Sequence, residues 1–238
     1  MEQTNNVLEF RDLTMQYGQF TVIDHMNLEI GRNKIVGLLG PNGSGKTTMI
    51  KLTNGLLVPK TGQVLINGMT PSCETKKRVS YLPDNNYLPN WMTIAQMIHY
   101  YSDFYSDFDS KKAYEMLAGL KLDKKLHFKT MSKGMKEKVQ LILVMSRDAD
   151  LYLLDEPIGG VDPASRDYIL KTIISNYSEH ATVIISTHLI ADIENVLDDA
   201  IFINAGKIIR NTSVEEIRNT FHMSVDDLFR EEFRCSVN

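Results

Sequence analysis

Cysteine is scarce in this chain: Cys73 and Cys235 are the only two among 238 residues, far apart and without metal-ligand spacing. That argues against a multiply stapled scaffold and a cysteine-built zinc site, and it fits free thiols in a reducing compartment, with a structural disulfide bond between the two as the alternative. Long apolar runs are missing as well. The longest, such as residues 181–186, are strand-sized, well short of the roughly 18 residues a membrane-spanning helix needs. Residues 1–6 are polar and lack the apolar centre of a secretory leader. A soluble protein is therefore expected, and any service to a membrane would be from its cytoplasmic side. There is no excess of positive charge. The net charge of −4 argues against a nucleic-acid surface spread over the molecule, and no nucleic-acid partner is expected. What remains is an ordinary globular composition, 43% hydrophobic, enough to bury a full-sized core without staples.

The hydrophobic pattern has three parts. Residues 7–17 and 22–30 alternate apolar with polar positions and predict two strands joined by a turn at Gly18-Gln19. A buried strand follows at 34–40, a helix at 47–57, and strands at 64–68 and 79–82, the last broken by Pro83. From Asn85 the texture becomes helical, with helices at 92–105 and 111–120 and no strand pattern until about Asp150. Strand and helix then alternate over 151–204, the pattern of a mostly parallel sheet with helices on its faces. Residues 214–233 predict two short amphipathic helices.

Gly40-Pro41-Asn42-Gly43-Ser44-Gly45-Lys46-Thr47-Thr48 satisfies the spacing G-x-x-x-x-G-K-[ST] between a predicted strand and a predicted helix. Glycines let backbone N–H groups turn inward onto an anion, and the following helix points its positive end at the same place. Lys46 adds a point charge for the β- and γ-phosphates of ATP, and the Thr47 hydroxyl can ligate Mg²⁺. Downstream, the apolar run at 151–154 ends in Asp155 and Glu156. Such a strand delivers its carboxyl-end residues to a ligand at the edge where α/β sheets bind things. Asp155 is expected to hold Mg²⁺ through water, and Glu156 to polarise the attacking water as a general base.

Several further segments stand in an order that resembles the nucleotide-binding domain of ABC transporters, over nearly the whole chain. Tyr17 sits where that family places an aromatic on the adenine. Met131-Ser132-Lys133-Gly134-Met135 occupies the position of its LSGGQ signature, Val161-Asp162 looks like the D-loop, and Ser186-Thr187-His188 like the switch histidine. The resemblance implies an α/β P-loop NTPase: a RecA-like core at about 1–84 and 150–210, a small antiparallel β portion near the N-terminus, a helical subdomain at about 85–149, and a tail at 211–238. It also implies a dimer. Ser132, Lys133, Gly134 and Met135 of one nucleotide-binding subunit would complete the ATP site of another, with Asp162 at the same junction and His188 aligning the γ-phosphate with Glu156. Integral membrane subunits would be the other partners, the chain being held by them at the cytoplasmic face of the membrane.

The chain departs from the family pattern in two places. Lys133 takes a glycine position of the signature and Met135 the glutamine, a form that resembles the subfamily paired with simple six-helix membrane subunits for drug, peptide or lipid export or self-immunity. Asp84 stands where the family has a glutamine after the strand at 79–82. A charge there beside Mg²⁺ and phosphate is tolerable if Asp84 ligates the metal or its water; otherwise Asn85 or Asn86 supplies an amide from a shifted loop. Among the other aromatics, Tyr100, Tyr101, Phe104, Tyr105 and Phe108 have helical spacing and read as packing, or as a groove for a short helix of a membrane subunit. Lys136-Glu137-Lys138 reads as a solvated helix face. The rival classes are a soluble ABC ATPase without transport and a small-molecule kinase. The first usually carries two cassettes or a long coiled coil, and the second has no use for Ser132-Lys133-Gly134 or His188.

Overall fold

A computed structural model describes residues 6–159 and 161–234 of the chain; Cys235 lies outside them. Strands β1 (Asn6–Tyr17) and β2 (Phe20–Gly31) form a long hairpin, closed by Gly18 at φ +60°. Strand β3 (Ile35–Leu39) is buried on both faces, as its unbroken apolar sequence requires. After the glycine loop, α1 (Lys46–Thr53) ends four residues before the point its periodicity predicts. It stops there because Gly55, at φ +63°, turns the chain out of the helix. Then come β4 (Thr61–Ile66), the short α2 (Cys73–Lys77), and β5 (Val79–Leu82). Helices α3 (Ile94–Phe104), α4 (Ser110–Gly119) and α5 (Lys133–Met145) follow, each opened by a side-chain N-cap, Thr93, Asp109 and Ser132. The chain continues through β6 (Leu151–Asp155), α6 (Pro163–Asn176), β7 (Thr182–Thr187), α7 (Ile190–Ile193) and β8 (Asp199–Asn204). It ends with β9 (Lys207–Ser213), the one-turn α8 (Val214–Glu216), and α9 (Val225–Arg234).

Strands β2, β1 and β4 make an antiparallel sheet; the second sheet has the order β5-β6-β7-β3-β8-β9. Its first five strands run parallel and β9 returns antiparallel along the edge. Alternation along its central strands sorts two cores. Leu151 and Leu153, Val36 and Leu38, and Ile201 and Ile203 pack with the antiparallel sheet and α1. Tyr152 and Leu154, Ile35 and Leu39, and Ala200 and Phe202 pack with α6, α7 and α9 on the opposite face. A third cluster is drawn from residues 88–143, including Ile94, Met97, Leu117, Phe128 and Leu143.

Strand β9 has no counterpart in the predicted elements. Lys207-Ile-Ile-Arg-Asn-Thr-Ser lacks a period of two, and it pairs because the Ala205-Gly206 turn, with φ +45° and +76°, folds it back on β8. Among the described residues no helix is long and apolar enough to cross a membrane. Register then builds the site: Asp155 pairs with Ser186 and Leu39 with Thr187. The carboxyl ends of β3, β6 and β7 are thus level, and the segments that leave them share one edge.

Candidate active site

The glycine loop is clamped from outside. A Cβ on Gly40 would lie 2.3 Å from the Ile203 carbonyl oxygen, so β8 can approach only a glycine there. Gly45, at φ +112°, occupies the N-cap of α1 in the left-handed region. The Gly206 N–H donates to the Ser44 carbonyl at 2.9 Å, and Ser44 N–H to the Pro41 carbonyl at 3.2 Å. Gly43, by contrast, has open space where its side chain would be. Asn42 and Gly43 form the exposed tip of the loop, and Thr48 is half-buried in the first turn of α1. The Lys46 ammonium is buried; it donates to the carbonyls of Gly40 at 2.8 Å and Pro41 at 3.2 Å and stands 3.7 Å from Glu156 Oε1. Burial pulls the Lys46 ammonium below its ordinary value, opposed by the charges of Glu156 and Asp155.

Asp155 is only 1% exposed. Its Oδ1 accepts from Ser186 Oγ at 2.5 Å and Thr47 Oγ1 at 3.2 Å, while its Oδ2 is buried with no partner. Burial pushes this carboxyl up, the Ser186 and Thr47 hydrogen bonds pull it back, and the charges of Asp84 and Glu156 add to the rise. Next to it Glu156 adopts φ +50°, a left-handed conformation that costs a non-glycine residue about 1 kcal/mol. Its N–H donates to the Ser186 carbonyl at 3.0 Å and lies 3.1 Å from Ser186 Oγ, which holds the turn in place. The Glu156 carboxylate is bracketed by Lys46 on one oxygen and by His188 Nδ1, 3.1 Å from the other.

Among the described residues, Asp155 Oδ2 and Ser44 Oγ are buried at this edge without partners, as is Glu137 Oε2 across the adjoining cavity. The first lies beside Thr47 and the second within the glycine loop. That donor set fits a hydrated Mg²⁺ and a phosphate. Among the described residues no cluster of three or more His, Cys, Asp or Glu side chains could hold a metal by itself. A magnesium ion there would have to share oxygens of the nucleotide, as that cation usually does.

The remaining candidates are spread around this centre. Tyr17 is half exposed at the end of β1, paired with Phe20, while Val22 and Ile23 of β2 press on Gly45. The hairpin end with Tyr17 is therefore held near the glycine loop. Asp84 is exposed and accepts from Asn85 Nδ2 at 2.7 Å. It lines a cavity of about 140 Å³ together with Asn85, Asn86, Lys133, Glu137, Gln140, Asp155 and Glu156. Ser132 caps α5 through the Met135 N–H at 3.3 Å, and Lys133 pairs with Glu137 at 3.8 Å. Gly134 has open space around its Cα. Asp162 accepts from Ser165 Oγ at 2.6 Å and caps α6 through the Ser165 N–H at 3.0 Å, and these hydrogen bonds, the hydroxyl's first, lower its carboxyl. Among the described residues no hydrogen bond or ion pair joins Ser132, Lys133, Met135 or Asp162 to the glycine loop.

The profile of the family described as "ABC transporter" matches residues 23–159. The chain belongs to the ABC transporter family. It is 30% identical to the SkfA peptide export ATP-binding protein SkfE of Bacillus subtilis over 88% of this chain and 90% of that one. Against the ABC-type transporter ATP-binding protein EcsA of Bacillus subtilis it is 29% identical over 95% and 96%. It is also 31% identical to the probable multidrug ABC transporter ATP-binding protein YbhF of Escherichia coli over 89% of this chain but 38% of that longer protein. A solved ATP-binding subunit of an ABC transporter superposes with a TM-score of 0.85 at 26% identity, covering 95% of this chain and 99% of that one. The protein is thus an ATP-binding subunit of an ABC transporter, a P-loop ATPase of α/β fold that powers transport.

Some residues of this ABC ATPase escaped the sequence reading. Ser186 was visible only as part of the switch segment, yet it bonds both Asp155 and Glu156. Gly206 and Ile203 support the glycine loop from more than 150 positions away, which no local pattern encodes. The segment Lys136-Glu137-Lys138 is half-buried, a face only partly solvated. Lys136 lies over the Phe128 ring and Lys138 over Tyr168, while Glu137 turns into the cavity, its Oε2 buried. The aromatic run is helical only as far as Phe104: Tyr101 of α3 and Phe108 beyond its end are buried, and Tyr100 and Phe104 stack in the open.

Proposed function

We propose that this subunit works as one half of an ATP-driven exporter. ATP is gripped by Gly40 to Thr48 with Tyr17 against its base, and Glu156 polarises water toward the γ-phosphate while His188 and Lys46 fix its carboxylate. Mg²⁺, held by Thr47 and Asp155 with Asp84 on its water shell, would neutralise charge on the phosphates. The observation that carries this reading is the Glu156 carboxylate set between Lys46 and His188 beside the unpartnered oxygen of Asp155. Ser132, Lys133 and Asp162, which are exposed, and Gly134 and Met135, which are half-buried, complete the site of a second nucleotide-binding subunit, another copy or a paralogue. Residues 85–149 act as the subdomain that relays nucleotide state to membrane subunits. The exposed Tyr100-Phe104 face and the groove lined by Tyr81, Tyr101 and Tyr105 offer these subunits an apolar seat.

Export is favoured by the signature with Lys133 and Met135, and by relatives whose names include peptide export and multidrug transport. Affinity purification from detergent-solubilised membranes tests the assembly. Recovery of a six-helix integral membrane protein is expected. Recovery of soluble partners alone would favour a non-transport ABC ATPase.

A further inference from the structure

One buried amide beside the site has no part in the reaction described so far. Gln140 is 3% exposed on α5, at i+7 from Lys133 and i+3 from Glu137, and it lines the same cavity as Asp84, Asp155 and Glu156. Its Oε1 accepts the Tyr87 N–H at 3.2 Å. The chain between β5 and Tyr87 has little other anchorage. Among the described residues, no backbone hydrogen bond holds residues 83–86, and the Asp84 carboxylate bonds only its neighbour Asn85. Tyr87 is fixed twice, by this N–H bond to α5 and by its phenol, which shares a 2.5 Å hydrogen bond with Tyr101 of α3.

We propose that Gln140 is a positioning residue that ties the Asp84-bearing segment to α5, the helix opened by Ser132. Sequence order alone joins Asp84 to the helical region through a free span of four residues. The Gln140 bond fixes the far end of that span on α5 and makes the segment follow this helix. Any shift of α5 against the sheet then moves Asp84 relative to Asp155 and Glu156. An apolar side chain of the same volume would pack as well but leave the Tyr87 N–H without its acceptor. The chain carries an acid at position 84, which must be kept at a set distance from two other carboxylates. A tether at Tyr87 sets that distance. The inference rests on the placing of Asp84 and Glu156 at the phosphate end of the site.

Gln140→Met keeps volume and removes the acceptor. Amide hydrogen exchange at Tyr87 in the nucleotide-free chain should quicken about fivefold, with the α5 amides unchanged. Steady-state kcat should fall about fivefold while the KM for ATP stays within about twofold, because the glycine loop is untouched. Unchanged Tyr87 exchange would overturn the tether, and faster exchange with unaltered kcat would overturn its role in positioning. Absence of ATP turnover in the wild-type chain would instead indict the assignment of the site itself. That result is distinct from either.

Discussion

At the end of β6, Asp155 accepts two hydrogen bonds on one oxygen and none on the other, although both are buried. Such an arrangement costs stability in the empty chain and is relieved by a cation. The sign follows from its raised carboxyl. The protonated form is favoured in the fold, so the associated stability is present below the ordinary carboxylate range and lost as pH rises through the raised value. Asp155→Asn should therefore stabilise the nucleotide-free chain in chelator by about 1 kcal/mol near neutrality. The gain should shrink toward zero in acid, as read by thermal melts across pH. The same variant should lose magnesium-dependent ATP hydrolysis. A neutral-pH melt lower than wild type would contradict this account of the site.

Among the elements, the β8–β9 turn does more for the glycine loop than its sequence suggests. Gly206 donates to Ser44, accepts from Asp24 N–H at 3.3 Å, and has its Cα against Val22. A Cβ there would meet the Val22 carbonyl oxygen at 2.1 Å, backbone against backbone, at φ +76°. Gly206→Ala should cost about 2 kcal/mol or more in urea unfolding and weaken ATP binding by displacing the loop. Gly18→Ala, also at positive φ but with open space around it, should cost only about 1 kcal/mol and leave ATP binding alone. This contrast marks how far the sequence could be read. The loop, the two acids and the central strands were legible because each is encoded locally, by spacing or by an apolar run. Strand β9, the Gly206 clamp and the Gln140 tether were not, because they depend on long-range register and on which helix face meets a cavity. The length of α1 was misjudged because apolar residues beyond Gly55 continued the helical period after the backbone had left it.

Across the whole molecule, one sheet edge gathers the glycine loop, Asp155, Glu156 and His188, while the signature stays on a partly exposed rim at the start of α5. On the proposed reading labour is divided: the edge would bind and cleave ATP, and the rim and helical face would pass the result to other subunits. The central claim is that Glu156 drives cleavage without being needed for binding. The most direct test is to compare Glu156→Gln with the wild-type chain for ATP affinity and for phosphate release. The account predicts affinity within about threefold of wild type and turnover reduced at least about a hundredfold. Full turnover in Glu156→Gln, or loss of ATP binding with it, would contradict it.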